Sequence, residues 1–192
     1  LLSESVVSVL ADGSDRQVLA EKRPVRRDNF YNAEQELLET STWYCGYEDL
    51  IVADSAIYYI ANNANAGSMD VRSSVNGKEG KVSWESDKSI YRMDLDGTHV
   101  EEIVANIGAA EPHMCIDGGK IYYSTSYENC FYSYPFVTFR SCNLDGTQDA
   151  ALLGADYNPN FACGYTSDKG AMTELVSGLL VADGKLYVSA TD

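Results

Sequence analysis

The residues through which this chain would do chemistry are two histidines, five cysteines and a set of recurring aspartates. No catalytic set emerges from their spacing. Glu111 and His113, in Ala110-Glu111-Pro112-His113, come nearest, because a carboxylate and an imidazole just ahead of an apolar run can share a proton or a metal. His99 follows an Asp-Gly turn and there is no nucleophile elbow, so a Ser-His-Asp triad is not expected. Asp94-Leu95-Asp96-Gly97 has the opening of a calcium loop, but the later carboxylates and the closing Glu are missing, and it reads as a turn. Cys45, Cys115, Cys130, Cys142 and Cys163 form no CxxC pair, which argues against zinc. One or two disulfides are expected instead, with Cys45 to Cys163 and Cys130 to Cys142 as the candidate pairs. No metal or cofactor is expected.

The 192 residues carry 29 acidic against 14 basic side chains, a net charge of −15. That balance disfavours nucleic acid and anionic membranes as partners, since both are polyanionic. With 45% hydrophobic and 11% aromatic residues the chain can build a core despite its charge. No apolar run reaches the roughly 18 residues of a membrane helix, so no membrane insertion is expected. The chain starts at Leu1 without a charged-then-apolar leader, so it is read as a mature or excised segment with any targeting signal outside it; the expected disulfides fit a secreted or cell-surface protein.

Whatever positions these residues is repetitive. An Asp-Gly turn after an alternating run recurs in Val9-Leu10-Ala11-Asp12-Gly13-Ser14, Arg92-Met93-Asp94-Leu95-Asp96-Gly97-Thr98 and Ser141-Cys142-Asn143-Leu144-Asp145-Gly146-Thr147. Between these copies runs a second signature, an apolar stretch, an Asp-led turn and an apolar-Tyr pair: Leu50 to Asp54 into Ile57-Tyr58-Tyr59, Met114 to Asp117 into Ile121-Tyr122-Tyr123, and Leu179 to Asp183 into Leu186-Tyr187-Val188. Tyr58, Tyr122 and Tyr187 are 64 and 65 residues apart. Asp and Gly serve tight β-turns, and β-branched and aromatic neighbours favour strands, so each repeat is two hairpins with strands a, b, c and d. The one stretch that competes for helix is Asn32 to Glu39. Four short antiparallel strands recurring at this period predict an all-β fold, a β-propeller of four-stranded blades. A β-sandwich would not repeat the same two turns in alternation.

Lys120-Ile121-Tyr122-Tyr123-Ser124 followed by Asn143-Leu144-Asp145-Gly146-Thr147 resembles the YWTD repeat of low-density-lipoprotein-receptor-like (class B) six-bladed propellers. The resemblance is closest to bacterial surface or secreted propeller domains. Tyr58-Tyr59 and Tyr122-Tyr123 stand where that family has Tyr-Trp, and the Thr-Asp half of the motif is absent. The resemblance implies that acidic turn residues such as Asp54, Asp117 and Asp183 brace neighbouring blades through backbone hydrogen bonds. Replacing Asp117 would then lower stability rather than binding.

Read this way, residues 1–192 are a single partial propeller: strands c and d at 5–20, whole blades at 49–104 and 113–153, and strands a and b at 179–190. That is three blades' worth, too few to close a ring, since propellers typically use four to eight. The remaining blades come from the same protein or from a second copy.

All the tight turns fall on one face of such a fold. The long connections fall on the other: Glu21 to Asp49, Ala61 to Lys88, Ser124 to Thr138 and Gly154 to Gly178. They are aromatic, and Trp43, Tyr44, Tyr47, Trp84, Phe131, Tyr132 and Tyr134 are the candidate ligand-binding residues for a protein or glycan. The alternative is that these rings roof over the blade ends. Lys22 to Arg27, the one basic cluster, reads as a solvated loop. The expected function is a noncatalytic extracellular binding or scaffolding module; the rival classes are a propeller lyase or hydrolase with a site at the central channel, and a structural subunit of a larger surface assembly.

Overall fold

Strands account for nearly all regular structure, as alternating β-branched and aromatic residues between turn residues dictate. The computed structural model describes residues 5–21, 24–31, 37–44, 46–63, 67–72, 79–84, 87–108, 111–127, 136–153 and 175–191. In chain order the strands are β1 (Val6–Ser8), β2 (Gln17–Ala20), β3 (Pro24–Tyr31), β4 (Leu37–Tyr44), β5 (Tyr47–Ala53), β6 (Ala56–Asn62), β7 (Gly67–Arg72) and β8 (Glu79–Trp84). They continue as β9 (Lys88–Asp94), β10 (Glu101–Gly108), β11 (Met114–Asp117), β12 (Lys120–Tyr127), β13 (Phe136–Asn143), β14 (Ala150–Leu153), β15 (Leu175–Ala182) and β16 (Lys185–Thr191). There is no helix among the described residues.

Two antiparallel four-stranded meanders form the centre, one ordered β5-β6-β9-β10 and the other β11-β12-β13-β14. Two-stranded sheets, β1-β2 and β15-β16, flank them, and β3-β4 and β7-β8 are separate hairpins. The sheets stack face to face. Ala56, Tyr58 and Ile60 of β6 pack with Met114, Ile121, Tyr123 and Cys142 of the next sheet. Ile57, Tyr59 and Ala61, on the opposite face of β6, pack with Val6, Leu19 and Ala20 of β1-β2. Val137 and Phe139 pack with Val176, Leu186 and Val188 of β15-β16. A strand normally alternates buried and exposed residues; in β6, residues 56 to 61 are all buried because a sheet covers each face. β16 has cover on one face only, and its described residues alternate accordingly.

Among the described residues six tight turns join paired strands. In the three Asp-Gly turns the Asp side chain accepts from the residue two places on, with the same lengths each time: Asp12, Asp96 and Asp145 Oδ1 lie 2.9 Å from the N and 2.6 Å from the hydroxyl of Ser14, Thr98 and Thr147. These bonds hold the three carboxyls below the usual carboxylate range. The carboxylate of Asp96 is thus taken up by Thr98 within its turn. The other turns have two central residues of positive φ: Asp54-Ser55, Gly118-Gly119 and Asp183-Gly184. Asp117 is no turn residue: it ends β11 opposite Lys120, exposed, where Ala53 and Ala182 stand in the other copies. A contact from one sheet to the next is made instead by Asp49, described below.

Several expectations need correction. Leu37 to Glu39, within the stretch that competed for helix, belong to β4, and 32–36 lie outside the described residues. Pro24 to Arg27 form the start of β3 rather than a loop, with Arg26 opposite Trp43 and Arg27 opposite Thr42; residues 22 and 23 lie outside the described set. Two of the four long connections therefore contain hairpins. Cys142 is a free thiol with no exposure, enclosed between sheets among Ile121 and its neighbours, so it is not paired with Cys130. Cys45, Cys130 and Cys163 lie outside the described residues. Burial pushes the Cys115 and Cys142 thiols up to about 11, which keeps them protonated and unreactive at neutral pH.

Candidate functional site

The richest cluster of ionisable groups lies where β5, β11 and β15 approach one another. It starts from a bulge. The register of β5 against β6 shifts between Glu48 and Ile51, and Asp49 sits there at φ 46°. A bulge re-aims a side chain, and here it carries Asp49 from its own sheet to the next. Asp49 Oδ2 accepts from the backbone N–H of Met114 at 2.8 Å and from His113 Nδ1 at 3.0 Å.

His113 is fixed from three sides. Its N–H donates to Ser124 Oγ at 2.8 Å, and its carbonyl accepts from Ser124 N at 2.8 Å. Its ring, 20% exposed, also meets the Val176 carbonyl of β15. Asp49, the largest influence, and Val176 both favour the imidazolium, and they outweigh the cost of burial, so the ring holds its proton above the ordinary histidine range. Beside this pair Lys88 Nζ donates to both oxygens of Glu48, at 2.7 and 3.0 Å, with the two side chains 9% and 16% exposed.

A second buried carboxylate holds the same end of the sheet together. Asp87, 2% exposed, accepts from the N–H groups of Lys88 and Gly108, each at 2.7 Å, while its carbonyl accepts from Asn63 N at 2.9 Å. Asn63 Nδ2 reaches Ser89 Oγ at 2.6 Å and Asn106 Oδ1 at 3.1 Å. The neck of the 64–86 excursion is thereby closed by hydrogen bonds. A third cluster, Tyr123 with Arg140 and Asp149, ties β12 and β13 to the start of β14: the Tyr hydroxyl donates to Asp149 at 2.7 Å and Arg140 Nη2 donates to it at 2.6 Å. Burial and Asp149 together push the Tyr123 phenol up, so it stays a donor.

Chemically, the Asp49-His113 pair can hold a proton and join sheets. Among the described residues the hydroxyl bonded to His113 is that of Ser124, which is fully buried and meets its backbone rather than its ring, so the pair activates no nucleophile there. Among the described residues no group of three or more His, Cys, Asp or Glu is gathered to hold a metal.

Of the residues singled out from sequence, His113 is in the cluster, but its carboxylate partner is Asp49, and Glu111 is exposed. Glu48 and Asp49 stand where the 21–49 connection meets strand a of its repeat, and nothing in the local string marks them as a site. Lys88 and Asp87 had no comparable signal. Tyr47 is half-buried: its ring packs 5.5 Å from that of Tyr59 and its hydroxyl donates to the Glu21 carbonyl at 3.0 Å. Trp43 and Tyr44 end β4 and Trp84 ends β8, so these candidates lie at the strand ends nearest the central sheet in sequence. Phe131, Tyr132 and Tyr134 lie outside the described residues. Comparison of the chain with protein-family models, curated proteins and solved structures gives no match.

Proposed function

We propose that the chain is part of a β-propeller, its meanders being blades and its flanking hairpins half-blades, and that it works as a noncatalytic extracellular module binding a protein or glycan. The observation that carries this is the division between the two ends of the sheets. In a meander the first and third connections share one end, and here both are tight, a two-residue turn first and an Asp-Gly turn third, while the middle connection of the β5-β6-β9-β10 sheet expands into the β7-β8 hairpin at the opposite end. The connection from β2 to β5 expands likewise into β3-β4. Elements that add nothing to the meander ladders yet keep strand order and carry Trp43, Tyr44 and Trp84 are suited to recognition, because such rings bring large rigid area with a polar edge. The Asp49-His113 contact is, in this reading, a brace between blades, and the Asp87 contacts close the end of a single blade.

Glycan-array and surface-binding assays on the chain and on Trp43→Ala and Trp84→Ala variants test it. Binding should fall at least tenfold in the variants at unchanged melting temperature. Retained binding in both, or turnover of a lyase or hydrolase substrate that His113→Gln abolishes, would overturn the reading.

A further inference from the structure

We propose that two copies of this chain exchange ends: the open edge of β16 in one copy receives the β1-β2 hairpin of the other. This goes beyond the binding reading and rests on it only for the closure of a ring. The first ground is a seat that occurs twice inside the chain. In each complete sheet the Asp-Gly turn presses on the last strand of the sheet before it. A Cβ at Gly97 would lie 2.8 Å from the Leu19 carbonyl oxygen of β2, and one at Gly146 would lie 2.4 Å from that of Ile103 in β10. Leu19 and Ile103 each stand six residues after the glycine of their own turn. The third residue at that place is Leu152, and no turn glycine is seated on it among the described residues. The third turn glycine is Gly13, which has the same positive φ of 84° as Gly97 but nothing within 4 Å. Seat and knob thus stand at opposite ends of one molecule.

The second ground is the space beside that seat. Leu152 is 47% exposed and borders a cleft of about 350 Å³ walled by Tyr122, Phe139, Val181, Leu186 and Val188. In the complete sheets the corresponding room is filled by strands c and d of the next sheet. The β1-β2 hairpin has the matching character, with Val7, Val9, Leu10 and Val18 exposed. The third ground is register. Tyr58 faces Arg92 and Tyr122 faces Ser141, each partner five residues before its turn glycine. The same rule sets Tyr187 opposite Ser8. Both edges are open among the described residues, since β1 pairs only with β2 and β16 only with β15.

The occupant is a second copy because a chain's own hairpin is already committed. Val6, Leu19 and Ala20 pack on the far face of the β5-β6-β9-β10 sheet, with both complete sheets between them and β15-β16. Exchange in both directions builds two new four-stranded sheets and six in all, with two-fold symmetry.

The test uses the whole chain. Multi-angle light scattering should give twice the chain mass, and a mixture of Ser8→Cys copies with Tyr187→Cys copies should form, on oxidation, a cross-link mapped between residues 8 and 187. Val7→Cys, one residue out of register, should not cross-link to Tyr187→Cys. Gly13→Asn keeps a residue that tolerates positive φ but adds a side chain at the seat, so it should weaken the dimer at least tenfold without changing the far-ultraviolet circular dichroism spectrum. A monomer at every concentration, or a dimer lacking the 8-to-187 link, overturns the exchange. Particles that grow past the dimer while keeping that link support the edge pairing and count against the closed ring, and so against the propeller reading.

Discussion

At the level of single residues, the pair that joins two sheets also sets a pH dependence. His113 is held protonated in the folded chain by Asp49 and the Val176 carbonyl, above its unfolded value. A raised folded value means a contribution to stability that is complete below the unfolded histidine value of about 6.5 and disappears as pH rises through the folded one. A hydrogen bond to a charged group is worth about 1.5–3 kcal/mol, and the ring is partly solvated, so about 1–2 kcal/mol is expected. Urea unfolding of the wild type and of His113→Gln should therefore differ by that amount near pH 5.5 to 6 and converge by about pH 9. A difference independent of pH would show that the ring acts by packing alone. The turn aspartates slope the other way: their lowered values give stability above the unfolded carboxylate value that is lost as pH falls through the folded ones. These turn roles were legible because Asp-x-Ser/Thr repeats at fixed offset from glycine. Asp49 was not, because its role depends on a bulge, and bulges follow from pairing between strands rather than from the local string.

At the level of elements, the turns offer a controlled comparison. Asp54-Ser55 occupies a two-residue turn with φ of 45° and 60°, both in the left-handed region, without a glycine. Its counterpart after β11 uses Gly118-Gly119. Ser55→Gly should relieve that strain and raise stability by about 0.5–1 kcal/mol in equilibrium denaturation. For the Asp-Gly turns the expectation is opposite. Gly146→Ala meets both a φ of 78° and the Ile103 carbonyl at 2.4 Å, whereas Gly118→Ala meets positive φ with nothing near. The first should cost about 3 kcal/mol and the second about 1, because only the first must displace backbone. Equal costs would mean that the contact between sheets contributes nothing. The strands of the meanders were readable from period-two alternation between such turns. The β3-β4 hairpin was not, because Pro24-Val25-Arg26-Arg27 and Leu37-Leu38-Glu39 carry charge and helix-favouring residues where pairing imposes strand.

For the whole molecule the governing quantity is the charge of −15, which folding concentrates into stacked sheets. Self-repulsion of that size opposes compaction and also opposes bringing two copies together. Close ion pairs act against it among the described residues: Lys88 with Glu48, Arg140 with Asp149 and Arg92 with Asp94. Salt weakens both effects, but unequally. The repulsion is spread over distances comparable to or beyond the Debye length of about 10 Å at 0.1 M, whereas contacts near 3 Å with part-buried partners are screened less. Added salt therefore removes more repulsion than attraction. Raising sodium chloride from about 10 mM to about 150 mM should increase the free energy of unfolding by on the order of 1 kcal/mol, with no change in the urea m-value. The same step should tighten end exchange between copies, since two like-charged chains are brought to contact. Stability that falls with salt would mean that the part-buried ion pairs, rather than net charge, dominate the electrostatics of this fold.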